Sequence, residues 1–160
     1  MAFLKKSLPT SASAESETIP SLLSADACAH AVRDEIAKGS QMSAIRLVDF
    51  LIGHASLARA SDVHFDPRRD GVMVRLRVDG VLQDAHLIPL SMHHEVISRL
   101  KILSGLRTDE HLAAQDGRFR MSLGGGTGVD LRVSIVPTYH GENAVIRLLA
   151  DQAADFDLDM

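Results

Sequence analysis

The 160-residue chain has no tryptophan, one tyrosine and one cysteine, and aromatic residues make up only 4% of it. Its core must therefore be aliphatic, built from valine, leucine, isoleucine and alanine. A lone cysteine, Cys28, excludes an intrachain disulfide and a cysteine-based zinc site, a usage that suits a reducing cytoplasm. No stretch approaches the roughly 18 apolar residues of a membrane span. The opening "MAFLKKSLPT" has two lysines but no apolar run after them, so it does not read as a signal peptide. Excess positive charge is missing too. A net charge of −4 argues against a general nucleic-acid binder, which needs a basic field to neutralise phosphates.

What is present fits one soluble domain with a flexible extension, at 46% hydrophobic and 24% charged residues. Residues 1–22 are rich in Ser, Thr, Ala and Glu, with Pro9 and Pro20, and read as a disordered leader. A short helical segment over 23–41 follows, its helix running from about Ser24 to Lys38 and closed by Gly39. Cys28 reads there as a small apolar residue. A second helix, "SAIRLVDFLIGHASLARA", repeats Ile45, Val48, Leu51, Ile52 and Ala55 at spacings of three and four, which predicts one apolar face.

The period then changes to two. Val72, Val74, Leu76 and Val78 alternate with Met73, Arg75, Arg77 and Asp79, predicting a half-buried strand with two arginines outward. Asp79-Gly80 signals a hairpin turn into "VLQDAHLI". Pro89 and Ser91 open a helix through "SMHHEVISRLKILSG", with Met92, Val96, Leu100 and Leu103 inward and Gly105 at its end.

The stretch "QDGRFRMSLGGGTGVDLRVS" contains a glycine cluster, Gly124 to Gly128, of the kind that cradles phosphates. A phosphate loop needs a helix after it and a Gly-Lys-Ser/Thr ending. Here a strand follows and no lysine is present, so the glycines read as hairpin turn residues. The dinucleotide pattern fails for the same want of a helix N-terminus. The flanking alternation places Arg118, Arg120 and Arg132 on the polar face of that hairpin. A third strand, "NAVIRLLA", adds Arg147 with its face undecided. Two readings stay open: a solvated sheet face, or an anion site built from guanidinium forks.

Other constellations are weaker. Asp62, His64 and Asp66 share one side of a strand, a spacing open to metal ligation, although an exposed strand face ending in a local turn at Pro67 is simpler. His93 and His94 are adjacent on a helix and cannot share a metal. Glu142 follows the turn "PTYHGE" and reads as structural rather than as a catalytic base.

Five phrases carry a resemblance: "ASDVHFDP" (60–67), "VRLRVDGVL" (74–82), "ISRLKILSGL" (97–106), "QDGR" (115–118) and "DLRVSIVPTYHGENAVIRLL" (130–149). In this order they resemble the N-terminal PAS-like domain of the type II secretion and type IV pilus assembly ATPases, over about residues 42–150. The resemblance implies an α+β fold, a PAS-like antiparallel sheet with flanking helices. It also implies a following RecA-like domain carrying the phosphate loop, a homo-hexameric ring, and ATP with magnesium bound between the two domains. Arg118, Arg132 and Arg147 match the arginines that approach the ATP phosphates in that family, in the manner of arginine fingers. Arg75 and Arg77 match a motif that is structural or lies at a subunit interface. The implied setting is cytoplasmic, peripheral to the inner membrane through platform proteins, with protein transport or pilus assembly as the work done and no nucleic acid as partner.

The chain departs from that pattern in three places. It contains no Gly-x-x-x-x-Gly-Lys-Ser/Thr and no magnesium-holding acidic motifs, so this span alone is expected to bind no cofactor and hydrolyse no ATP. Residues 151–160 read as the start of a linker, and the chain reads as a fragment. About forty residues precede the matching region, fewer than the larger front domain that docks on the platform. His111 to Ala114, "HLAA", stands where the family has arginines and a proline. The alternative reading is a free-standing PAS-like adaptor that binds a motor subunit or a small ligand without an ATPase role.

Overall fold

A computed structural model describes residues 24–123 and 128–149. The predicted leader, the linker and Gly124, Gly125 and Gly126 of the turn lie outside the described residues. Helix α1 spans Ala25–Ala37, and the Ser24 hydroxyl caps it by accepting from the Ala27 amide at 3.1 Å. It stops before Gly39, whose φ of +59° is one that glycine adopts without a steric penalty. Helix α2 spans Ala44–Leu57 and is capped by Ser43. The two helices are tied by Glu35, whose carboxylate accepts from the Ser43 amide and from Lys38 Nζ, each at 2.7 Å. The buried face of α2 is Leu47, Val48, Leu51, Ile52 and Ala55. Ile45 lies two turns before Ile52 on the same stripe, but it is 52% exposed. The apolar face expected from the sequence is therefore buried from Leu47 onward but not at Ile45.

Six strands form one antiparallel sheet: β1 Asp62–Arg68, β2 Gly71–Val78, β3 Val81–Ile88, β4 Gln115–Ser122, β5 Gly128–Thr138 and β6 Gly141–Leu149. Their spatial order is β3-β2-β1-β6-β5-β4, so two three-stranded meanders meet where β6 returns beside β1. Helix α3, His93–Leu103, connects them. Three helices with one antiparallel sheet make this the α+β architecture that the resemblance implied. The core is aliphatic as anticipated, except that Phe65 on central β1 is fully buried.

Two local features differ from the sequence reading. Pro67 is not at a turn; it continues β1 opposite Val72. Pairing of β1 with β6 ends at Phe65, so the strand has a free side at Pro67, where a missing N–H is tolerated. On β3, the pairs Val74↔His86 and Arg75↔Asp84 leave Ala85 as an extra residue. That bulge resets the alternation and turns His86 into the interior.

There His86 Nε2 lies 3.1 Å from His54 Nδ1 of α2, and the rings meet edge-on. Burial is the main force holding both below the ordinary histidine range. The His54 ring and Arg33 add to it at His86, which is pushed down to about 4. At His54, Arg33 adds to the lowering and Asp26 opposes it. The folded chain therefore binds fewer protons here than the unfolded one, whose histidines titrate near about 6.5. Stability from this pair is whole above roughly pH 6.5 and drains as the pH falls toward 4. The urea midpoint is expected to be flat from pH 8 to 7 and to drop below 6.5, with His86→Gln removing up to about 3 kcal/mol of that decline. A profile that His86→Gln leaves unchanged would show that other groups set it.

Candidate functional site: an arginine row on the open sheet face

Strand alternation sends Val129, Leu131 and Val133 into the core, and Asp130, Arg132 and Ser134 outward. The same rule applied to β4 turns Arg118 and Arg120 outward. Arg147, undecided in the sequence, lies opposite Arg132 and is exposed, so it shares their face.

Pairing register then brings distant residues into one row across the sheet. Arg118 lies opposite Arg132, Arg132 opposite Arg147, Arg147 opposite Asp62, and Asp62 opposite Arg77. The row holds four arginines against one aspartate, an excess of three positive charges. Like charges directly opposite one another on a sheet are destabilising. An arrangement that lines up three arginines on neighbouring strands costs stability unless an anion relieves it.

The arginines are not equivalent. Arg120 pairs with Asp130 at 3.0 Å. Arg75 pairs with Asp66, whose other oxygen accepts from Asn143 Nδ2 at 2.6 Å. Arg77 and Arg147 both approach Asp62. Among the described residues, Arg118 and Arg132 have no hydrogen bond or ion pair. Two shallow depressions open here, one of about 390 Å³ among Arg118, Arg120, Asp130 and Arg132, and one of about 380 Å³ among Asp116, Arg132, Ser134 and Arg147. Arg132 lines both. Chemically the site offers forked, permanently charged donors and a concave seat, which suits a phosphate-type anion.

The remaining candidates fall elsewhere. Asp62 and Asp66 are committed to arginines, and among the described residues no group of three or more His, Cys, Asp or Glu side chains is placed to hold a metal ion. His93 donates to the Glu142 carbonyl at 2.8 Å, whereas His94 stacks toward His111 with ring centroids 6.0 Å apart. In the "HLAA" segment, His111 Nδ1 is 3.2 Å from Glu142 and Leu112 is 90% exposed.

Sequence reasoning missed two supports of the site. One is Lys101 of α3, 1% exposed, which donates to Glu142 at 2.8 Å and to the Glu110 carbonyl at 2.6 Å. In a helix that also carries His93, His94, Glu95, Ser98 and Arg99, one more charged residue gave no signal of burial. The other is Gly117, where a Cβ would lie 2.8 Å from the Ser104 carbonyl oxygen. That glycine lets β4 pass against the end of α3 and so places Arg118. A glycine inside a strand pattern is a readable sign of close approach.

Fold and site together define an α+β module with helices on one face of its sheet and a cationic row on the other. The sequence profile of the Type II/IV secretion system protein family matches residues 37–160, and the chain belongs to that family. It is 38% identical over 128 residues to the type IV pilus assembly ATPase PilB of Myxococcus xanthus, covering 79% of this chain and 22% of that protein. It is 45% identical over 118 residues to the type II secretion system protein E of Xanthomonas campestris, covering 74% of this chain and 21% of that one. The chain thus spans about a fifth of the length of these relatives. Among solved structures, the Legionella pneumophila ATPase DotB gives a TM-score of 0.46 at 16% identity, over 64% of this chain and 28% of DotB. The resemblance carried by the five phrases is borne out at the level of the family. No helix among the described residues is long and apolar enough to cross a membrane.

Proposed function

We propose that this chain is the N-terminal domain of a secretion or pilus-assembly motor ATPase, and that its open sheet face supplies phosphate-facing arginines. Arg118 and Arg132 are the principal donors and Arg147 the third. The ATP and its magnesium are held by a RecA-like domain that follows in the full-length protein. The domain works on the cytoplasmic side of the inner membrane, within a homo-hexamer whose subunits it helps to join and beside the machine's platform proteins.

The observation that carries this reading is the row itself, with Arg118 and Arg132 directly opposite and both unpaired among the described residues. Phosphoryl transfer gains mainly from positioning and from neutralising charge on the phosphate oxygens. Donors fixed on a rigid sheet serve that role better than donors on a loop. Because they stand on a separate domain, closing that domain on the nucleotide couples the phosphate state to movement.

Titrating this chain with inorganic tripolyphosphate, followed by amide chemical shifts, tests the site directly. Shifts are expected to cluster on β4, β5 and β6 near the row. Arg118→Gln together with Arg132→Gln is expected to weaken binding roughly tenfold or more. Affinity untouched by that pair of changes would leave the arginines as a solvated face.

A further inference from the structure

Asp62 is the only carboxylate in the arginine row, and its side chain is 9% exposed on a face that is otherwise open. Arg147 donates to its Oδ1 through Nε at 3.2 Å, and Ser61 Oγ donates to its Oδ2 at 2.9 Å. Arg77 Nε stands 3.5 Å from the same Oδ2, and Arg77 Nη1 donates to the Gly80 carbonyl in the β2–β3 turn at 3.2 Å. Backbone bonds lock this corner as well: the Ser61 amide donates to the Arg77 carbonyl at 2.8 Å, and the Leu148 amide donates to the Ser61 carbonyl at 3.0 Å. Burial pushes the Asp62 carboxyl up, but the hydrogen bonds from Ser61 and Arg147 and the charge of Arg147 outweigh it and hold it below the usual range.

The contact uses one edge of Arg147 only. Its Nε is engaged, its side chain is 67% exposed, and among the described residues its two terminal amino groups have no partner. The neighbour on its other side is Arg132, which repels it. Without Asp62, nothing among the described residues would hold Arg147 in the row.

We infer that Asp62 is a positioning residue for anion recognition: anchored by Arg77 and Ser61, it grips Arg147 by Nε and leaves its terminal amino groups aimed for the anion that Arg132 and Arg118 bind. The inference rests on the proposed phosphate site and assigns it a support that reaches from the β2–β3 turn to the middle of the sheet. Such a carboxylate fixes a long side chain before the ligand arrives, so less rotamer freedom is lost on binding.

The test is a double-mutant cycle in the same tripolyphosphate titration, using this chain and the variants Asp62→Asn, Arg147→Gln and both together. Asp62→Asn is expected to weaken binding about threefold to tenfold in the parent and less than about twofold in the Arg147→Gln background. Asp62→Ala, which also removes the acceptor, is expected to show a larger loss with the same dependence on Arg147. Urea midpoints confirm that each variant is folded, and the within-cycle comparison cancels any general loosening of the sheet. Equal losses in both backgrounds would reduce Asp62 to a structural residue and overturn the inference. Tighter binding by Asp62→Asn would overturn it as well, because Asp62 would then be a competitor for Arg147. If the parent does not bind, or if Arg118→Gln with Arg132→Gln changes nothing, the phosphate reading falls and this inference with it. If those arginines matter and the cycle is additive, only the inference falls.

Discussion

Lys101→Met is expected to lower the unfolding free energy by about 3–5 kcal/mol, because it strands a buried carboxylate. Glu142 is itself buried and receives Lys101 Nζ at 2.8 Å on one oxygen. Its other oxygen meets His111, whose ring is half exposed. Lys101 also donates to the Glu110 carbonyl, so the change opens a second site in the segment leading to β4. Methionine fills a similar volume, so the loss reports charge and hydrogen bonding rather than a cavity. Adding Glu142→Met removes the stranded charge and is expected to recover most of the loss, since buried ion pairs exchange for apolar pairs at little net cost. Urea unfolding of the three variants checks both statements. A single-variant loss under about 1 kcal/mol would mean that His111 and water satisfy Glu142 unaided. The consequence reaches the arginine row: Glu142 is the second residue of β6, which carries Arg147 five residues on, and Glu110 leads to the strand that carries Arg118.

On the proposed motor reading, Arg132→Ala in a full-length ATPase that carries this domain is expected to reduce ATP turnover roughly tenfold or more, the usual cost of losing one positioned donor to a transferring phosphoryl group. Arg132 is chosen because it lines both depressions, stands between Arg118 and Arg147, and has no partner among the described residues that its loss would strand. Its removal also relieves repulsion along the row, so the domain is expected to be as stable as the parent or slightly more so. Lost turnover with undiminished stability separates a phosphate-facing role from a folding defect. Arg69→Ala, in the turn between β1 and β2, serves as a control that leaves turnover unchanged. Unaltered turnover by the Arg132 variant would remove that residue from the reaction.

Local physics makes much of this chain readable from its residues alone. Ser24 and Gly39 mark the ends of α1 because a hydroxyl caps amides and a glycine takes positive φ at no steric cost. Asp79 and Gly80, at φ of +51° and +78°, form the two-residue turn that their pairing signals. Period-2 alternation assigns Arg118, Arg120 and Arg132 to an outer face, and the folded sheet keeps them there. These are short-range effects, settled within a few residues of chain.

The tertiary structure decided everything that depends on register between distant segments. A side-chain period of two says which face an arginine takes, but a slip of two residues keeps the face and changes every neighbour. Only the observed pairing sets Arg118, Arg132 and Arg147 side by side, and only the meeting of β1 with β6 brings Asp62 to Arg147 across 85 residues of sequence. The bulge at Ala85 turned His86 inward against the pattern of its strand. Lys101 is buried because Glu142, 41 residues away, folds back to meet it. The sequence by itself determined most of the elements, the inner and outer faces of β2, β4 and β5, and the arginines available. The folded sheet decided which arginines are neighbours and which are neutralised by a carboxylate, because charge pairing is a property of distance in space that no local pattern contains.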